Sequence, residues 1–115
     1  MRIAALLALS LVAGRASAQK AESYRAIGTE PFWSLTIGRD VMRLEELERP
    51  PVAVRTPGAR PSFNGRRYVT RRMAVDVTRA RCSDGMSDRV YPDTVTVTIG
   101  RRILRGCGGL ALDRR

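Results

Sequence analysis

The chain has 115 residues, with 21 Lys and Arg against 11 Asp and Glu and no histidine, a net charge of +10. The missing histidine removes the commonest general base and the commonest zinc ligand. If the two cysteines pair, no thiolate nucleophile is left either, so the composition points away from an enzyme.

Residues 1–18, MRIAALLALSLVAGRASA, carry Arg2, an apolar run from Ile3 to Ala13 and the small-x-small pattern Ala16-Ser17-Ala18. They read as a secretory signal peptide, too short in its apolar run for a permanent bilayer span of about 20 residues. Arg15 close to the cleavage site leaves an uncleaved interfacial anchor as the alternative. Cleavage removes Arg2 and Arg15 and leaves a single domain, 19–115, with 19 basic and 11 acidic side chains, a net of +8. The expected location is the periplasm or the exterior.

In chain order, residues 19–23 form a polar start. Tyr24 to Ile27 is a short strand stopped by Gly28-Thr29. In Phe32 to Ile37, Trp33, Leu35 and Ile37 share one face, a half-buried strand that aims the only tryptophan at the core. Gly38-Arg39-Asp40 turns the chain into a strand from Val41 to Leu47. Residues 48–65 hold Pro50, Pro51, Pro57, Gly58, Pro61 and Gly65, so only Val52 to Arg55 is expected as an edge strand there, and the rest as loop.

Tyr68 to Arg79 is read as one substantial strand, with Met73, Val75 and Val77 inward. A loop runs from Cys82 to Asp93. Thr94 to Ile99 alternates cleanly, with Val95, Val97 and Ile99 inward, and Gly100-Arg101 turns it into a returning strand, Arg102 to Cys107. No stretch has helical periodicity, so the fold class is all-β: a small antiparallel barrel or strongly curved sheet.

The cysteines, Cys82 and Cys107, enclose 24 residues. Export, parity and their positions at strand borders predict one disulfide, the alternative being two separate buried thiols. Closing that loop is worth roughly 3.5 kcal/mol in the chain-entropy model.

Most of the positive charge is arginine, whose guanidinium forks onto carboxylate or phosphate. An anionic partner (lipid headgroups, lipopolysaccharide, another glycan) or an envelope protein competes with a merely solvated basic surface, and no motif specifies nucleic-acid recognition. The loop Ser83-Asp84-Gly85-Met86-Ser87-Asp88 concentrates oxygen ligands as a calcium loop does, but lacks the alternating acid order and the closing glutamate. Turn chemistry accounts for it better, and neither metal nor cofactor is expected. Asp84 and Asp88 are near in sequence, yet nothing in their spacing specifies an acid-base pair. Glu30, before Pro31, Phe32 and Trp33, has two readings: a ligand-facing acid partly desolvated by the aromatics, or an ion pair pinning the start of the strand.

The segment YRAIGTEPFWSL from Tyr24 to Leu35, CSDGMSD from Cys82, Tyr91-Pro92 and Gly106-Cys107-Gly108 together resemble a family of bacterial envelope proteins, small secreted proteins or lipoproteins, to which no activity is firmly assigned. Its domain is similar to the small β-barrels of periplasmic inhibitors of c-type lysozyme. Many members carry a lipobox cysteine at the cleavage site; this chain has Ala18-Gln19 there, so lipidation is not expected. The resemblance supports the fold, the disulfide and the compartment and implies no activity. The main reading is a non-catalytic binding or structural envelope module, with lysozyme inhibition as the alternative, and Glu30, Phe32, Trp33, Ser83, Asp84, Met86, Ser87, Asp88 and Tyr91 are the candidate binding or structural motif. Basic lysozymes would repel a +8 domain during approach at low salt, which weighs against the inhibitor.

Overall fold

The computed structural model describes residues 23–85 and 88–112. The proposed signal peptide, Met86 and Ser87 lie outside the described residues. Among the described residues eleven strands form: β1 (Tyr24–Thr29), β2 (Phe32–Ile37), β3 (Val41–Glu46), β4 (Val52–Arg55), β5 (Arg60–Ser62), β6 (Gly65–Val69), β7 (Ala74–Thr78), β8 (Cys82–Ser83), β9 (Val90–Tyr91), β10 (Asp93–Ile99) and β11 (Arg102–Gly108). Nine of them make one antiparallel sheet in the order β4-β3-β2-β1-β11-β10-β7-β6-β5, and β8 pairs with β9 in a small separate ribbon.

The sheet is strongly curled into a half-barrel. Arg66 on β6 stands 4.9 Å from the centre of the Tyr24 ring on β1, although β11, β10 and β7 separate the two strands in the sheet order. Only a sheet bent back on itself brings them together. First and last strands meet at its middle, Ala26 opposite Gly108 and Ile27 opposite Cys107, so the chain termini of the domain are tied by the ladder.

Alternation fixes the core as expected. Trp33, Leu35, Ile37, Met73, Val75, Val77, Val95 and Val97 are all buried, and Ile99 is half-buried against the same cluster. Ala26, Met42, Leu44, Tyr68 and Leu104 complete the cluster. Each sits on the same parity as its neighbours across the ladder, for example Leu35 between Ala26 and Leu44.

The turn at residues 38–40 is present, closed by the Gly38 amide donating to the Val41 carbonyl at 2.9 Å. Four expectations need correction. The stretch 82–93 is not loop throughout: β8 and β9 pair within it, Cys82 opposite Tyr91 and Ser83 opposite Val90, and Asp93 already belongs to β10. The stretch 68–79 is not one strand: Thr70 breaks it, its amide donating to the Met73 carbonyl and its hydroxyl accepting from the Arg72 and Met73 amides, which folds β6 back onto β7. Threonine hydroxyls make such turns because they replace a backbone partner. The proline-rich middle contains a further strand, β5, and it includes Pro61. Its place at the sheet edge is what lets a residue without an N–H sit in a ladder. β1 runs through Gly28 to Thr29, because the glycine makes room for the indole of Trp33 opposite it.

Candidate functional site

Two segments singled out in the sequence, the β1–β2 turn and the start of the Cys82–Asp88 loop, meet on the outer side of the sheet. The disulfide joins them. Cys107 lies on β11 between Ile27 and Thr94, and Cys82 is bonded to it, with a Cα separation of 5.4 Å. This holds β8 against β11 and brings Ser83 and Asp84 over Thr29, whose hydroxyl donates to the Asp84 carbonyl at 3.3 Å. Between them is a cavity of about 130 Å³, walled by Thr29, Glu30, Ser83, Asp84 and Arg105 and floored by Gly28 and Gly106.

Glu30 is exposed at the rim of this cavity, and its carboxylate has no ion pair or hydrogen bond among the described residues. Among the described residues no ion pair pins the strand entry through Glu30, and the aromatics do not desolvate it; the residue lines the cavity. Their directions explain why: Phe32 points outward and is 52% exposed, while Trp33 points to the opposite side and is fully buried. Successive side chains on a strand face opposite ways, so no single acid can lie between them. The Glu30–Pro31 peptide is cis.

Trp33 is fully buried in the core cluster, as the alternation of β2 requires. A Cβ on Gly28 would fall inside its indole, and one on Gly106 would overlap the Ile27 carbonyl and crowd the same ring. The buried indole N–H finds no hydrogen-bond partner among the described residues.

Ser83 is exposed, Asp84 half-buried and Asp88 exposed; neither acid is free. Tyr91 is buried, opposite Cys82 in the small ribbon. The Leu112 amide donates to the Val90 carbonyl at 2.7 Å, so the ribbon also holds the end of the described chain.

Two features were not legible beforehand. On the core side, the Tyr24 hydroxyl donates to the Asp93 carboxylate at 2.7 Å. Burial first, and then that bond, push the tyrosine well above its ordinary pKa, so it stays neutral and acts as a donor. Arg66 stacks over Tyr24 and donates to the Tyr68 hydroxyl at 2.9 Å. The second feature is Phe63, 92% exposed at the β5–β6 turn inside what reads as loop. A lone Phe in a proline-rich segment carries no periodic signal, and β5 is too short to announce itself.

Among the described residues, no three His, Cys, Asp or Glu side chains cluster as a metal site would. No protein-family model, curated protein or solved structure matches the chain.

Proposed function

We propose that the protein is an exported, non-catalytic module of the cell envelope that binds an anionic component of that compartment. The observation that carries this reading is the state of its arginines. Arg39, Arg55, Arg60, Arg79, Arg101 and Arg105 are exposed and have no ion pair among the described residues. Arg102 and Arg49 share Glu46, Arg43 has Glu45 and Arg67 faces Asp76. The guanidinium groups left over are exposed donors carried by the sheet and its turns, suited to phosphate or carboxylate oxygens.

The test is a titration of the purified protein with anionic lipid vesicles, lipopolysaccharide and anionic glycan over a range of salt concentrations. Binding that weakens as salt rises supports the reading. A c-type lysozyme assay runs beside it. Stoichiometric, saturable loss of lysozyme turnover that survives physiological salt, without binding to any of the three anions, would replace this reading with the inhibitor.

A further inference from the structure

The positive charge is unevenly placed along the chain. From Arg49 to Ser83 the sequence has nine arginines and a single acid, Asp76. That stretch builds β4 and the whole β5–β6–β7 flank of the sheet. Asp76 is already turned toward Arg67, 3.5 Å away. The flank therefore presents uncompensated cations.

In the middle of it stands Phe63. The ladder pairs Ser62 with Gly65, leaving Phe63 and Asn64 as a two-residue turn. Asn64 adopts a positive φ of 53°, a conformation asparagine tolerates better than most residues. The tip does not hang loose. The Arg79 amide donates to the Asn64 carbonyl, and the Asn64 side-chain amide donates to the Arg79 carbonyl, both at 2.9 Å. Two reciprocal bonds thus fix the hairpin to the end of β7 while the Phe63 ring stays 92% exposed. The same bonds place Arg79 beside the tip, and Arg60 and Arg67 are paired across the hairpin below it.

We propose that this tip docks on an anionic phospholipid surface, Phe63 entering the boundary between headgroups and acyl chains while Arg60 and Arg79 contact lipid phosphates. The inference rests on the anion-binding reading above and names its partner. A soluble polyanion would satisfy the guanidinium groups but would leave the ring in water. A lipid interface takes both at once, because guanidinium side chains keep their heads at phosphate level while an aromatic between them enters the apolar layer. The backbone that carries the ring is already fixed by the Asn64–Arg79 bonds, so docking has little beyond the side chain's own rotamer to order.

The test uses the whole chain and vesicles of phosphatidylglycerol with phosphatidylethanolamine, compared with pure phosphatidylcholine. Expected is salt-sensitive binding to the anionic vesicles alone, weakened on the order of tenfold or more by Phe63→Ala. In Phe63→Trp, the added indole should shift to shorter wavelength on binding and be quenched by brominated lipid, against the constant signal of buried Trp33. Arg60→Gln with Arg79→Gln should weaken binding and flatten its salt dependence; the bonds that fix the tip use only the backbone of residue 79 and survive. Vesicle binding with residue 63 unquenched would overturn the proposal, as would a dimer that forms without lipid and is dissolved by Phe63→Ala. Binding to a soluble polyanion such as heparin with no lipid binding would overturn the lipid partner and leave the anion reading standing. Binding to neither would remove both.

Discussion

Arg102 on β11 and Glu46 on β3 form a two-point ion pair, 2.6 and 3.2 Å, that reaches across β1 and β2 on the core side of the sheet. Only a curled sheet brings these strands within reach, so the pair pins the curl at one end, as Arg66 over Tyr24 does on the other flank. The hydrogen bonds to Glu46 hold the guanidinium above its ordinary pKa. Glu46 is nearly buried, while Arg102 keeps about a third of its side chain in water. Glu46→Gln should therefore cost about 1 to 2 kcal/mol, less than breaking a fully buried pair. Urea denaturation of the two single variants and of the double variant with Arg102→Gln measures the coupling, which should exceed 0.5 kcal/mol for a direct contact.

Trp33 and Gly28 form a second testable pair. Trp33→Ala should cost about 3 to 5 kcal/mol, as large aromatic deletions in cores do. Gly28→Ala forces its methyl group into the space of the indole and should be destabilising on its own. In a Trp33→Leu background the same glycine change should cost less, because the clash is gone. Equal costs in both backgrounds would mean that the glycine serves some purpose other than seating the indole.

What the sequence made readable and what it hid follow from the same physics. Alternation over five or six residues identifies β2, β7 and β10, because burial on one face imposes it, and Trp33, Val75 and Val97 emerge from pattern alone. The alternation of Met73, Val75 and Val77 alone does not show the turn at Thr70; Tyr68, buried as well, has the opposite parity, and that change of parity between 68 and 73 is the trace the turn leaves in the pattern. The bond made by its hydroxyl is a local event with no repeating signature. The aromatics do not screen Glu30, because proximity in sequence to Phe32 and Trp33 does not mean proximity on one face. That the β1–β2 turn and the first residues of CSDGMSD meet has no signal in either segment; it depends on β11, which carries Cys107 and passes beneath both. Tyr24, Asp93 and Arg66 come from three distant strands, and only the register of the curled sheet unites them.

The exposed rim of the cavity should be neutral toward stability. Glu30→Gln removes a charge that has no partner among the described residues, so its effect should stay within about 0.5 kcal/mol. A loss of more than 2 kcal/mol in a thermal or urea melt would mean that the carboxylate has a structural role.

Cys82 and Cys107 anchor the β8–β9 ribbon to the last strand, so their loss should affect stability and local order together. Cys82→Ser with Cys107→Ser should cost roughly 3.5 kcal/mol through the unfolded state. Amides near Val90 and Leu112 should lose hydrogen-exchange protection before those of β10, since the ribbon's two short strands have little else to hold them. Uniform loss of protection across the sheet would instead make the disulfide a global determinant of the fold.

The Tyr24–Asp93 pair gives the fold a pH dependence on the alkaline side. The phenol's folded-state pKa is raised above its ordinary value of 10.0, chiefly by burial and then by the bond to Asp93. Between the unfolded and folded values the native state holds a proton that the unfolded chain releases, so unfolding becomes easier as pH rises. The stabilisation is complete below about pH 10 and is lost progressively above it. Tyr24→Phe removes the donor and leaves the buried Asp93 carboxylate without that bond, a cost of about 1 to 3 kcal/mol at neutral pH. The variant should also show a shallower decline above pH 10, because the group responsible for the slope is gone. Absorbance titration of tyrosinate with parallel urea melts at several pH values measures both effects. If wild type and Tyr24→Phe lose stability in parallel from pH 9 to 11, the alkaline limb belongs to another group and the hydroxyl of Tyr24 is not the proton it depends on.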